Sequence, residues 1–214
     1  MRPRFEAVLF DMDGTLVDRH SSWEWVHHSL GIDNEGVLQA FLRGEFDEVE
    51  FVRRDLARWK QAGLGHRREL EATLAKLALI DGAKELVAEL SRRGTKTAIV
   101  SGGLDILAKR VCEETGIGAY LANGVLFDHD GRLLDDGFVN VPVLDKGRPI
   151  PRLLADLGAT PGRCAAVGNS SQDVPMFRAA GFGVAFNPSD DDVRKAADVV
   201  VEEKDLRLLI PILT

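Results

Sequence analysis

Short, nearly continuous apolar runs recur along this chain, and each stops abruptly at polar residues. The first spans Phe5 to Phe10 and ends at Asp11. Such a run marks a strand covered on both faces. The next is Lys96 to Val100, followed later by Cys164 to Val167, Gly183 to Phe186 and Asp198 to Val201. Between them lie helical patterns: Ala83 to Arg93 closed by Gly94, Leu104 to Thr115 closed by Gly116, Asp145 to Leu157 followed by Gly158, and Val174 to Ala180. Gly124 to Asp128 and Arg132 to Val141, joined by His129-Asp130-Gly131, read as a β-hairpin. Strands alternating with helices predict an α/β fold built on a doubly wound parallel sheet.

The gap between the first two strands is filled differently. Ser21-Ser22 offers an N-cap before Trp23, Val26 and Leu30, and further helical faces run through Val37 to Leu42, Val49 to Trp59 and Leu70 to Leu77. This segment holds all three tryptophans, Trp23, Trp25 and Trp59. At helical spacing they read mainly as the core of a small helical unit, with a substrate-pocket lining as the alternative. The expected organisation is a catalytic core of residues 1–17 and 81–214, with 18–80 as a helical cap inserted after the first strand. The other possibility is that these helices simply flank the sheet.

Composition narrows the partners. With 214 residues, 45% of them hydrophobic, the chain supports one domain plus a small insert. The net charge of −7 argues against nucleic acid, which calls for a basic stripe. No run approaches the roughly 18 apolar residues of a membrane span. The run interrupted by Glu6 and stopped by Asp11 is too short for a secretory signal. Cys112 and Cys164 lack metal-type spacing and read as buried thiols of a reducing cytosol. The expectation is a cytoplasmic enzyme, monomeric or homodimeric, acting on a small molecule.

The strand ends carry the candidate chemistry. Asp11-Met12-Asp13-Gly14-Thr15 places two carboxylates where the first strand frays into a loop, at the sheet edge where open α/β folds bind ligands. One can serve as nucleophile and the other as acid/base, and together they can hold a hard cation. The second strand runs into Ser101-Gly102-Gly103 before a helix, either a phosphate-binding turn or a plain N-cap. The strand at 164–167 runs into Gly168-Asn169-Ser170-Ser171-Gln172-Asp173. Lys146, following Asp145 at the start of a helix, gains interest only from this company: a transferring phosphoryl group needs a fixed cation.

In their order, these four segments resemble the motifs of the haloacid dehalogenase superfamily over nearly the whole chain. The insert, the phrase Ile99-Val100-Ser101-Gly102-Gly103-Leu104-Asp105 and the segments Leu121-Ala122-Asn123 and Asp145-Lys146-Gly147 look most like its phosphoserine phosphatase branch. The resemblance implies a Mg2+-dependent phosphomonoester hydrolase acting on a small phosphorylated metabolite. In it Asp11 would be the nucleophile that becomes an aspartyl-phosphate, and Asp13 the general acid/base. Ser101, Gly102 and the following amides would hold the phosphoryl oxygens, and Lys146 would neutralise Asp11 and the phosphate. Asp11, Asp13, Asn169 and Asp173 would surround the metal. A phosphotransferase or mutase, or a non-catalytic phosphate- or metal-binding relative, are the alternatives.

Two positions depart from that pattern. The branch grips its amino acid with a Glu shortly after the first motif and an Arg in the cap. Here His20 stands in place of the Glu, and Arg53, Arg54 and Asp55 lie near the position of the Arg. His20, Arg53 and Arg54 are therefore the candidate substrate contacts of the insert. Asn169 stands where the family usually has an Asp, which removes one negative charge from the metal site and implies weaker Mg2+ binding. The remaining histidines, His27, His28, His66 and His129, show no metal-ligand spacing and are expected at the surface or in cap packing.

Overall fold

A computed structural model describes residues 4–214. Seven strands form one sheet in the order β4-β3-β2-β1-β5-β6-β7. They are β1 (Ala7–Phe10), β2 (Lys96–Leu104), β3 (Ala119–Phe127), β4 (Leu133–Phe138), β5 (Cys164–Gly168), β6 (Gly183–Phe186) and β7 (Val199–Val201). β4 pairs antiparallel with β3, and all other pairs are parallel. β1 is central, paired with β2 on one side and β5 on the other, and each of its four residues is fully buried. Its continuous apolar run exists because helices cover both faces of the sheet. Two apolar layers result, one containing Val8 and Phe10 and the other Ala7 and Leu9.

The chain leaves β1 for a four-helix insert: α1 (Ser22–Ser29), α2 (Glu35–Leu42), α3 (Glu48–Gln61) and α4 (Arg67–Leu74). Ser21 caps α1 by accepting from the Glu24 N–H, and Asp47 caps α3 by accepting from that of Glu50. Entry and exit run side by side, with Asp18 N–H donating to the Ala78 carbonyl and Ile80 N–H to that of Leu16. The apolar residues of the insert, including Val26, Leu56, Trp59 and Leu70, belong to the same layer as Phe10 and Met12. The insert also leans on β4, where Val52 packs against Gly137 and Lys60 pairs with Asp135.

Beyond the insert follow α5 (Ala83–Arg92), α6 (Asp105–Thr115), α7 (Ile150–Asp156), α8 (Val174–Ala180), α9 (Asp191–Ala196) and α10 (Ile210–Leu213). Three expectations need correction. The hairpin's first strand begins earlier, because Ala119–Asn123 pairs with β2 before the same strand turns to β4. β2 continues through Ser101-Gly102-Gly103 to Leu104, with a register shift between Ser101 and Leu104. Lys146 does not begin a helix: it lies in a turn, and α7 starts only at Ile150. Pro149 explains the delay, since a proline disfavours helical backbone at the residue before it. Among the described residues, no helix is long and apolar enough to cross a membrane.

Phe10 fixes β1 in the core and so sets the position of Asp11. Truncation of this fully buried ring in Phe10→Ala is expected to lower unfolding free energy by about 3–5 kcal/mol. Chemical denaturation checks this, and an unchanged midpoint would contradict it.

Candidate active site

The β1 ladder does not stop at Phe10, because Asp11 N–H still donates to the Val167 carbonyl of β5 at 2.9 Å. The chain then turns sharply, with the Leu16 and Val17 N–H groups donating to the Met12 carbonyl. Gly14 takes a φ of +84° within this turn. A Cβ there would also lie 2.4 Å from Asn169 Nδ2, so glycine is required both for conformation and for the approach of that amide. Thr15 Oγ1 donates to Asp11 Oδ2 at 3.2 Å.

Asp11 and Asp13 have different surroundings. Asp11 is buried, and its Oδ1 accepts from Lys146 Nζ at 2.6 Å. The same ammonium donates to Asp173 Oδ1 at 2.7 Å. All three charged groups are at most 4% exposed. Burial pushes the Asp11 carboxyl above its ordinary range against the pull of Lys146, with Asp173 adding to the rise. Burial opposes the charge on Lys146, but Asp11 and Asp173 outweigh it and hold the ammonium above its ordinary value. Asp13 Oδ2 accepts from both the N–H and the hydroxyl of Ser22, each at 2.8 Å. Its Oδ1 is shielded from solvent and has no hydrogen-bond partner. Burial raises the Asp13 carboxyl too, with the Ser22 bonds opposing.

Ser22 ties this arrangement to β2, since its Oγ also accepts from the Leu104 N–H at 3.0 Å. Gly103 permits the contact: a Cβ on it would lie 2.5 Å from Asp13 Oδ2. Ser101 Oγ accepts from the Gly103 N–H at 3.1 Å, and its own hydrogen has no acceptor among the described residues. The Gly103 and Leu104 amides are thus occupied by hydroxyls, which corrects the expectation that they face a phosphoryl group. At the neighbouring strand end, Asn123 Oδ1 accepts from the Asn140 and Val141 N–H groups and shapes the loop that delivers Lys146.

Asp11, Asp13, His20, Ser101, Gly102, Lys146 and Asn169 line one cavity of about 780 Å³ between the sheet edge and the insert. Three expected site residues stand elsewhere. Asp173 has both oxygens committed, Oδ1 to Lys146 and Oδ2 to the Asn169 and Ser170 N–H groups, so it serves the lysine and the loop instead of a metal. Arg53 is turned outward to Asp136, and Arg54 to Glu50 and the Phe46 ring. Ser22, Glu48 and Asp55 reach the site without having been singled out as its contacts, and Trp23, weighed as a pocket lining, joins them. Ser22 holds Asp13, and Trp23 Nε1 donates to the Gly102 carbonyl at 3.0 Å. Glu48 and Asp55 line the cavity. The helical periodicity of the insert was the available signal, but its phase relative to the sheet could not be read from it.

The donor set suits a hard cation. Two carboxylates share one ammonium, the Asp13 Oδ1 lacks a partner, and the Asn169 amide is pressed against the Asp11–Thr15 turn. These are oxygen ligands, the preference of a small divalent ion.

An α/β sheet with an aspartate pair, a lysine and a hydroxyl converging on one edge defines a hydrolase-type active site. A family model described as haloacid dehalogenase-like hydrolase matches residues 5–181, and the chain belongs to that family. Among similar proteins, a phosphoserine phosphatase of Wolinella succinogenes is 31% identical, over 96% of this chain and 98% of the relative. One from Methanocaldococcus jannaschii is 27% identical, over 98% of each. A solved structure of a phosphoserine phosphatase with an analogue of its phospho-aspartyl intermediate superposes with a TM-score of 0.79 at 26% identity, covering 98% of this chain and 99% of that one.

Replacing Lys146 with Met would leave Asp11 and Asp173 buried without their cation. Lys146→Met is expected to cost about 3–5 kcal/mol of stability at neutral pH. Denaturant unfolding measures this, and wild-type stability in the variant would contradict the pairing as a structural element.

Proposed function

We propose that the protein is a Mg2+-dependent phosphatase that hydrolyses small phosphomonoesters through an aspartyl-phosphate on Asp11. One observation carries this reading: Asp11 is held by Lys146 while Asp13, on the same turn, keeps an unpartnered oxygen beside the same cavity. The likeness to phosphoserine phosphatases supports the reaction class.

In the proposed reaction an Asp11 oxygen attacks phosphorus as the ester P–O bond breaks. Asp13 gives its proton to the leaving alcohol oxygen through Oδ1, while Ser22 keeps Oδ2 in place. A carboxyl raised by burial is suited to donate this proton. Asp13 then takes a proton from water, the water oxygen attacks phosphorus, and the bond to Asp11 breaks to release inorganic phosphate. Ser101 Oγ and Gly102 would bind phosphoryl oxygens, and Lys146 would offset charge on Asp11 and the phosphoryl group. Asp11, Asn169 and the backbone carbonyl of Asp13 would hold Mg2+, which would supply charge neutralisation for the phosphoryl oxygens. Residues 18–80 would act as the cap that covers the site and contacts the leaving group, with His20 at its junction with the core.

The expected activity is Mg2+-dependent phosphate release from an aryl phosphate, abolished by EDTA and by Asp11→Asn. Release undiminished in Asp11→Asn would overturn the nucleophile assignment. Restoring a charge at the metal site in Asn169→Asp should lower the Mg2+ concentration for half-maximal rate by about tenfold. An unchanged Mg2+ titration would remove Asn169 from the ligand set.

A further inference from the structure

The cavity wall opposite the phosphoryl end is set by the phase of α3. Glu48, Val52, Asp55 and Trp59 recur at spacings of three and four and so share one face. Glu48, Val52 and Asp55 line the cavity, whereas the arginines of the helix lie off this stripe. Arg53 pairs with Asp136, Arg54 with Glu50, and Arg58 donates to the Asp33 carbonyl and to Asn34 Oδ1. Lys146 is the one lysine or arginine that lines the cavity among the described residues, and Asp11 and Asp173 already engage it. No lysine or arginine of the insert lines the cavity; its basic side chains there are the imidazoles of His20, His27 and His28.

Glu48, one of the acids lining the cavity, reaches the loop that carries Lys146. It accepts from the Val143 N–H at 3.1 Å and lies 3.4 Å from Asn123 Nδ2. Val143 Cγ2 is in turn 3.2 Å from where a side chain on Gly102 would begin. A carboxylate that shares the cavity with a dianionic phosphoryl group is repulsive unless a positive charge comes between them. Trp23 adds an aromatic surface to the same cavity, fixed by its bond to the Gly102 carbonyl. Deeper in the wall, His27 is 5% exposed and its Nε2 lacks a hydrogen-bond partner, although Asp55 Oδ1 is 3.4 Å away. Asp55 itself is oriented by Asn34 Nδ2 at 2.8 Å. The wall thus offers a carboxylate and an aromatic ring to the leaving group.

We infer that the leaving alcohol of the substrate bears an ammonium group and no carboxylate, with Glu48 as the ammonium's partner and Trp23 beside it. The inference rests on the phosphatase reading of this same site. An ammonium a few atoms from phosphorus lies between the phosphoryl group and Glu48 and is attracted by both, and an aromatic face favours it further. A carboxylate in that position meets Glu48 and Asp55 with no lysine or arginine of the insert to offset it.

The test is kcat/KM for five probes: aminoethyl, hydroxyethyl and carboxymethyl phosphate, which match in size, O-phosphoserine, and an aryl phosphate as reference. The amino ester is expected to exceed the hydroxy ester by about tenfold, with the carboxy ester poorest. O-phosphoserine, which bears both groups, should fall between the amino and carboxy esters. In Glu48→Gln the ratio of amino to hydroxy ester should fall toward one. Aryl phosphate hydrolysis with the carboxy ester equal to or better than the amino ester would overturn this inference and leave the phosphatase reading standing. An amino preference undiminished in Glu48→Gln would overturn the role of Glu48. Hydrolysis of none of the probes would overturn both readings.

Discussion

A single buried ammonium holds together the ends of structural segments that are far apart in sequence. Lys146 comes from the loop after β4, Asp11 from the end of β1 and Asp173 from the loop after β5. Charges taken out of water are tolerated only when paired and hydrogen-bonded, so the three loops must close on one another for any of the groups to be accommodated. The second Asp173 oxygen is satisfied by two backbone amides, which leaves the lysine loop and the β5 loop no independent freedom. The geometry at the sheet edge follows from that constraint.

The same pairing leaves a surplus of negative charge. Asp13 lies on the same turn as Asp11 but is held by Ser22 from the insert, with one oxygen unspent. A dianionic substrate entering this edge would be repelled by the uncompensated carboxylates, so the balance of charge calls for a bound cation as well as Lys146. In the proposed site Asn169 would weaken that cation's hold by one charge and still offer a hard oxygen. The insert contributes in two ways: Ser22 positions the acid/base candidate, and α3 sets the character of the far wall.

Much of this was legible in the sequence because strand ends and catalytic loops are local signals. The apolar run into Asp11-Met12-Asp13-Gly14-Thr15 and the Asn169 loop fall where the pattern of strands put them, and Ser101 lines the same cavity although β2 runs on through it to Leu104. What was not legible depended on partners distant in sequence. Asp173 reads as a metal ligand until Lys146 and two amides are seen to occupy it. Arg53 and Arg54 read as substrate contacts until the phase of α3 turns them to Asp136 and Glu50. The strand at Ala119–Asn123 was obscured because one strand serves both a parallel and an antiparallel partner.

The central claim is that Asp11 becomes phosphorylated during turnover. The direct measurement is a rapid acid quench of the enzyme with Mg2+ and an aryl ester bearing radiolabelled phosphate, followed by proteolysis and mapping of the label. The account predicts a transient acyl-phosphate label on Asp11 that forms no more slowly than phosphate is released and accumulates further in Asp13→Asn. Phosphate release with no protein-bound label at any quench time, or with the label on another residue, would contradict it.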